Sequence, residues 1–154
     1  MKKLLVAITV LFLGTTLSAQ TLDDYMEVQR GVLKTEKKAV VAEAMQFTDA
    51  ESTVFWPLYN EYNDKMYTLN TKLYQLVKKF AENYESISDE AAIELSMETM
   101  KVDQEVLNLK KQYFKKFQKI LNGTQVMRYY QVENKIRALI NAQLALEIPL
   151  IENK

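Results

Sequence analysis

Two residue types that are common in catalytic and metal-binding sites are absent from this chain, which contains no cysteine and no histidine. Their absence excludes the usual ligand sets for zinc, copper and haem, and the Glu-x-x-His pairs of di-iron helical bundles. It also excludes disulfide bonds and nucleophiles that depend on a histidine base. A site made only of carboxylates, lysines and tyrosines remains possible, but no spacing in the sequence marks one. We therefore expect no metal, no cofactor and no enzymatic activity.

Glycine is scarce as well, and Gly14, Gly31 and Gly123 lie too far apart to form a phosphate-binding loop. Neither sign of charge dominates, because 20 basic side chains balance 20 acidic ones. A nucleic-acid-binding surface requires an excess of positive charge, so we expect no nucleic-acid partner. By contrast, 48% of the residues are hydrophobic, which is enough for one domain held together by packing alone.

The first residues have the pattern of a secretory signal. Lys2 and Lys3 precede an apolar run at 4–13 that is too short to span a bilayer, and small residues follow it. The sequence thus predicts a signal peptide over 1–19 and a single helical domain over 20–154, periplasmic or secreted and without an integral membrane span. An uncleaved anchor is the alternative, but the short run disfavours it. A lipid anchor would need a cysteine. After cleavage the chain keeps 18 basic and 20 acidic side chains, a net charge near −2.

Apolar periodicity predicts four helices in the mature chain. The first covers 21–45 and the second 48–84. The second opens with a capping box, in which the Thr48 side chain accepts from the Glu51 amide and Glu51 reaches back to the Thr48 amide. Its apolar residues follow strict 4-3 spacing and predict an a/d seam against a partner helix. They are Phe55, Tyr59, Tyr62, Met66, Leu69, Leu73, Leu76 and Phe80.

The third helix is predicted to start at Ser88 and to run to about Leu121. The fourth opens with a second capping box, formed by Asn122 and Gln125, and stops at Pro149. It carries an apolar ridge through Val132, Ile136, Ile140, Leu144 and Ile148. The predicted fold is all-α, with four helices in long antiparallel hairpins.

The second and third predicted helices each carry a second apolar stripe beside the first. On the second helix it contains Tyr67, Tyr74 and Val77. On the third helix it contains Ile93, Met97, Met100, Leu107, Phe114 and Leu121. The simpler interpretation places both stripes in the core of a four-helix arrangement, with the methionines filling gaps. The alternative is a partly exposed surface that binds a client or partner, to which tyrosine is well suited. The candidate binding residues are Tyr67, Tyr74, Val77, Met97, Met100 and Phe114.

The two capping boxes lie 74 residues apart and belong to a longer internal echo. The aromatic pair Phe55-Trp56 is matched by Tyr129-Tyr130 at the same offset. A capping box and an aromatic pair that recur in step are more than two amphipathic helices require, so we interpret them as a weak repeat.

The boxes themselves, Phe-Thr-Asp-Ala-Glu at 47–51 and Leu-Asn-Gly-Thr-Gln at 121–125, are similar to a Leu-Thr-x-x-Gln (LTxxQ) motif. Together with the export signal, four helices and no cysteine, they resemble the Spy/CpxP group of periplasmic helical proteins. The stretches 55–62, 132–136 and 147–151 resemble a bacterial side branch of that group. The resemblance covers nearly all of the mature chain, although its motifs are short and specify helix starts more than activity.

The resemblance implies a thin, curved homodimer of helical hairpins. It also implies an ATP-independent chaperone, an envelope-stress modulator or a metal-linked sensor, although the metal-sensing branch uses histidine-rich ligands that this chain lacks. Chaperone members hold clients on a concave surface of apolar and basic residues, with which the second stripes and the lysines at 110–119 are compatible. We therefore expect an exported chaperone-like or stress-response protein that binds unfolded or apolar protein segments. The alternatives are a regulatory protein that docks one specific partner helix, and a periplasmic sensor.

Overall fold

The computed structural model describes residues 35–151, which form four helices and no strand. Helix α1 occupies 35–45 of the described range, α2 Asp49–Ala81, α3 Asp89–Phe117 and α4 Gly123–Glu147. The predicted all-α class is confirmed. The predicted signal peptide and the first part of the predicted first helix lie outside the described residues. None of the described helices is long and apolar enough to cross a membrane.

Both predicted capping boxes are present. At the start of α2, the Thr48 amide donates to Glu51 Oε2 at 2.9 Å, and the Glu51 amide donates to Thr48 Oγ1 at 3.3 Å. At the start of α4, the Asn122 amide donates to Gln125 Oε1 at 3.1 Å, and the Gln125 amide donates to Asn122 Oδ1 at 3.0 Å. Each box pairs backbone donors that a helix start leaves without an intrahelical acceptor, so these side chains fix where the helices begin.

Two helices end earlier than the sequence predicts. α2 ends at Ala81 instead of residue 84, and α3 ends at Phe117 instead of near residue 121. The end of α3 is set by the start of α4. The N-cap of α4, Asn122, has an extended backbone (φ −73°, ψ 165°), so α3 must end and a turn must form before this residue. α4 stops where expected, since Ile148 takes an extended conformation ahead of Pro149.

α2 and α3 pack antiparallel along the predicted a/d seam. Ion pairs cross the hairpin at Lys72–Glu105 (2.7 Å) and Glu61–Lys116 (3.1 Å), so partner numbers rise on α3 as they fall on α2. These exposed pairs contribute little, whereas each buried apolar side chain contributes about 1.5–3 kcal/mol. The buried seam residues are Phe55, Tyr59, Tyr62 and Met66 on α2, and Leu95, Val102, Val106, Leu109, Tyr113 and Phe117 on α3.

The first half of α4 docks where the start of α2 meets the end of α3. The Tyr129 ring lies 5.3 Å from the Phe55 ring and 4.7 Å from the Phe117 ring, measured between centroids. Val41 and Met45 of α1 belong to the same buried cluster. Phe55 is fully buried at its centre, which makes this aromatic cluster the point at which four helices meet.

α4 runs parallel to α2 over this contact. Gln125 Nε2 donates to Glu51 Oε1 at 2.5 Å, and further along Arg137 Nη1 contacts Met66 Sδ at 4.0 Å. Residues that correspond to each other in the internal echo are therefore in contact, as in two segments related by a local two-fold axis. The buried residues of α4 are Val126, Tyr129 and Glu133. The ridge predicted from the sequence is only half-buried at Val132, Ile136 and Ile140.

Candidate binding surface

One side of α3 carries large apolar side chains that the fold leaves in solvent. Four of them lie seven residues apart, and therefore on one side of the helix, and Met97 lies beside them. We call the five together the α3 line: Ile93 (62% exposed), Met97 (63%), Met100 (62%), Leu107 (42%) and Phe114 (39%). Scattered apolar residues are normal on a protein surface, but an ordered row of them marks a site of interaction.

The exposure of the α3 line falls toward its C-terminal end because α4 covers that end. The Phe114 ring packs edge-on against the Tyr130 ring at 6.1 Å. Leu121, the next residue in the heptad, is only 7% exposed. The α3 line is thus the open continuation of a surface that a helix of the same chain already covers at one end.

The structure corrects the simpler interpretation of the stripe on α3. Met97 and Met100 do not fill gaps in a core, because among residues 35–151 no helix covers this side of α3 at their level. Periodicity shows that two sides of α3 are apolar, but which side is covered depends on where α4 lies. Met97, Met100 and Phe114 are exposed, as the alternative requires, and their role in binding stays a prediction.

The candidate residues on α2 have a different environment. Tyr67, Tyr74 and Val77 are half-buried. The Tyr67 backbone oxygen accepts from Thr71 Oγ1 at 2.9 Å, and both tyrosine residues take part in further interactions. The structure therefore joins the three α3 candidates in one exposed row and leaves the three α2 candidates half-buried on another helix.

Charge is distributed unevenly along α3. Residues 89–100 contain four acids and no base, whereas residues 106–117 contain four bases and no acid. This distribution suits the dipole of α3, whose N-terminus attracts negative charge and whose C-terminus attracts positive charge. The Ile93 end of the α3 line is therefore flanked by carboxylates and the Phe114 end by lysines. Such flanks select the charge pattern of whatever binds between them.

A small cavity lies between α3 and the start of α4. Its volume is about 20 Å³, which admits one water molecule and is too small for a substrate. It is lined by Tyr62, Lys110, Tyr113, Phe114, Phe117, Val126, Tyr129, Tyr130 and Glu133. Burial raises the pKa of Tyr59, Tyr62 and Tyr129 above the ordinary 10, and the charge of Glu133 adds to each shift. These phenols stay protonated at neutral pH, so the cluster is suited to packing rather than to proton transfer.

A second exposed apolar surface, which the sequence patterns did not single out, lies at the end of α4. We call residues 138–151 the α4 tail. Its exposed members are Leu139 (73%), Leu144 (38%), Leu146 (84%), Leu150 (90%) and Ile151 (48%). One sequence feature could have identified it, namely that Glu147 is the single charged residue in these fourteen positions. Such a segment has few of the charged side chains that usually cover the solvent side of a surface helix.

No family model, curated protein or solved structure matches this chain. Among residues 35–151, the α3 line and the α4 tail are two exposed apolar surfaces.

Proposed function

We propose that this protein is an exported, ATP-independent chaperone-like protein that binds apolar segments of other proteins along the α3 line. The observation that carries the proposal is the row of five large apolar side chains, each between 39% and 63% exposed. Removing apolar surface from water is favourable by about 25 cal/mol per Å². Binding of an apolar segment is therefore downhill by itself and requires no nucleotide.

The composition of the α3 line favours varied clients over a single one. Met97 and Met100 are flexible and polarizable, so they can adapt to side chains of different shape. The lysines near Phe114 add long-range attraction for acidic segments. Both properties are expected of a surface that holds unfolded chains.

Export and family membership belong to the proposal too. The signal pattern over 1–19 supports a periplasmic or secreted protein, and the two capping boxes support membership of the Spy/CpxP group. The lack of histidine and cysteine supports a protein without metal, cofactor or catalysis. N-terminal sequencing of the exported protein tests the first point, with an expected start at Gln20 or Thr21. A mature chain that still begins at Met1 would contradict it.

The decisive experiment measures suppression of aggregation. Wild-type protein in molar excess is expected to suppress the light scattering of an aggregating client. In the double variant Met97→Glu/Met100→Glu, lost apolar contact and added charge should weaken binding by about 1.4 kcal/mol or more, roughly tenfold in the concentration required. The matched control is Gln112→Glu, an exposed position of α3 outside the α3 line, which should behave as wild type. No suppression by the wild type, or equal suppression by the double variant, would refute the proposal.

A regulatory protein that docks one specific partner helix is the second candidate. The heptad spacing of the α3 line favours this function, because residues spaced in this way can pack against a partner helix laid along α3. A single partner recovered by cross-linking, together with no effect on general aggregation, would support this function over the first.

A homodimer is also proposed, as the resemblance implies. Its support in the structure is the α4 tail, whose exposed leucines form an apolar surface of the kind found at interfaces.

A further inference from the structure

We infer that the resting protein is a two-fold homodimer in which the α4 tail of each chain lies on the α3 line of the other. Clients and the partner's tail then compete for the same surface. The observations that support the dimer do not depend on the proposed function. Only the competition between clients and the partner's tail rests on it.

The first observation is that the chain already shows how α4 packs on this surface. α4 runs parallel to α2 and hence antiparallel to α3, and its first turns cover the end of the heptad row at Phe114 and Leu121. The α4 tail continues this helix to Glu147 and then leaves it at Ile148, with apolar residues on both parts. The open part of the α3 line, from Ile93 to Leu107, continues the same row toward the N-terminus of α3, beyond the part that α4 covers. The two exposed surfaces are therefore matched in their apolar chemistry.

The second observation is that a chain cannot close its tail onto its own α3 line. Gln125, Tyr129 and Arg137 fix the first half of α4 against α2. The helix is continuous over Gly123–Glu147 and contains no glycine or proline after Gly123. Sharp bends in helices occur at such residues, so the tail stays in the direction set by the first half. A surface that covers the tail therefore lies outside residues 35–151, and the proposal assigns it to a second copy of this chain.

The third observation is the size of the contact. Each chain contributes five exposed side chains from the α3 line and five from the α4 tail. At roughly 100 Å² per side chain, reciprocal exchange buries on the order of 2,000 Å², which is within the range of stable interfaces. When the same two chains exchange tails, the contact is repeated about a two-fold axis and the assembly closes at two chains. The near absence of charge in the tail lets it lie beside both the acidic and the basic end of α3.

Cysteine cross-linking tests the contact directly, since the natural chain has no cysteine. One batch carries Leu146→Cys and an affinity tag, and a second batch carries Met100→Cys. After mixing and mild oxidation, we expect a disulfide-linked product that contains one chain of each kind. With Gln112→Cys as the matched control in place of Met100→Cys, we expect no such product. Equal yields from both mixtures would overturn the proposal.

Sedimentation and client binding test the consequence. The wild type should sediment as a dimer, whereas Leu139→Glu/Leu146→Glu should sediment as a monomer with unchanged helix content by circular dichroism. Asn134→Glu, an exposed polar position of α4 that precedes the tail, should remain a dimer. The monomeric variant should also suppress client aggregation at several-fold lower concentration, because the α3 line is no longer covered.

These measurements separate the dimer from the proposed function. A monomeric wild type, or a dimer that both tail charges leave intact, would overturn the proposal; the latter result would point to contact between two α3 lines. A tail-dependent dimer with no effect on any client would uphold the interface and refute the chaperone function.

Discussion

Gln46, between α1 and α2, is held in a backbone conformation that L-amino acids rarely adopt. Among residues 35–151 it is the non-glycine residue with a positive φ, 47°. Its amide donates to the Ala42 backbone oxygen at 3.1 Å, which is the helix-ending geometry that glycine usually provides. A side chain in this conformation costs about 1 kcal/mol. No sequence signal marks this position, because glutamine has no preference for this region.

Substitutions at Gln46 that relieve or increase this strain should change the free energy of unfolding in opposite directions. Gln46→Gly should raise the free energy of unfolding by up to about 1 kcal/mol, since glycine adopts positive φ without a steric penalty. Gln46→Val should lower it, because a β-branched side chain fits this region worst. Urea denaturation of the three proteins measures both changes. Equal losses in the two variants would show that residue 46 carries no strain.

Glu61 joins α2 to α3 through one carboxylate oxygen. Its Oε1 accepts from Tyr113 Oη at 2.6 Å, from Lys116 Nζ at 3.1 Å and from Lys65 Nζ at 3.3 Å. The hydrogen bond from Tyr113, followed by those from the two lysines, lowers the pKa of Glu61 from its ordinary 4.5 to about 2. Tyr113 is almost fully buried, so Glu61 is also the acceptor of a core phenol.

The lowered pKa of Glu61 predicts a pH-dependent contribution to stability. A group whose folded pKa is depressed stabilises the fold above its unfolded pKa of 4.5, and this contribution is lost as the pH falls toward 2. Glu61→Gln should therefore be less stable than wild type at pH 7, and the difference should shrink between pH 4.5 and pH 2. Chemical denaturation across this range provides the measurement. A difference that stays constant down to pH 2 would contradict the hydrogen-bonded network.

At the scale of elements, the starts of α2 and α4 depend on each other. The Glu51 and Gln125 side chains each complete their own capping box and also bond each other at 2.5 Å. The bond from Gln125, together with those from Thr48, lowers the pKa of Glu51. The capping of a helix start is usually a local feature. In this protein it is also part of a tertiary contact between residues far apart in the sequence.

Double-mutant analysis should reveal this dependence. Glu51→Ala and Gln125→Ala should each destabilise the protein, and the double variant should lose less than the two single losses together. Thr48→Ala and Asn122→Ala, which remove the caps and leave the contact in place, should each cost about 1 kcal/mol. Urea denaturation of all variants measures the coupling. Strict additivity of the Glu51 and Gln125 changes would show that the two boxes act separately.

The sequence predicts those features of the elements that neighbouring residues determine. The helix starts at Thr48 and Asn122 are predictable because capping involves residues three positions apart. The seam of α2 is predictable because its 4-3 spacing requires a partner helix. The helix ends were placed too late, because the end of α3 depends on the cap of the following helix and not on its own residues.

At the scale of the whole molecule, the candidate site was only partly predictable. Periodicity identified the apolar stripe containing Met97, Met100 and Phe114, but not its exposure. Exposure depends on how far α4 reaches across α3, and no local pattern encodes that distance. The α4 tail was missed for a related reason, since an apolar helix reads as core unless its packing partners are known.

The α3 line also determines how the molecule responds to oxidants. All the sulfur of this chain is in methionine, and Met97 and Met100 are more than 60% exposed, whereas Met45 and Met66 are at most 7% exposed. Mild peroxide should therefore convert the exposed thioethers of Met97, Met100 and Met127 (55% exposed) to sulfoxides before those of Met45 and Met66, which mass spectrometry of peptides can follow. Client binding and dimerisation should fall together, and methionine sulfoxide reductase should restore both.

Met97→Leu/Met100→Leu supplies the control, because leucine keeps the volume and apolar character without the sulfur. This variant should bind as the wild type does before peroxide treatment and keep its activity afterwards. Loss of activity in the variant as well would place the damage elsewhere. If the α3 line binds as proposed, its two exposed methionines allow the surface to be inactivated by oxidation and repaired by reduction while the buried core stays intact.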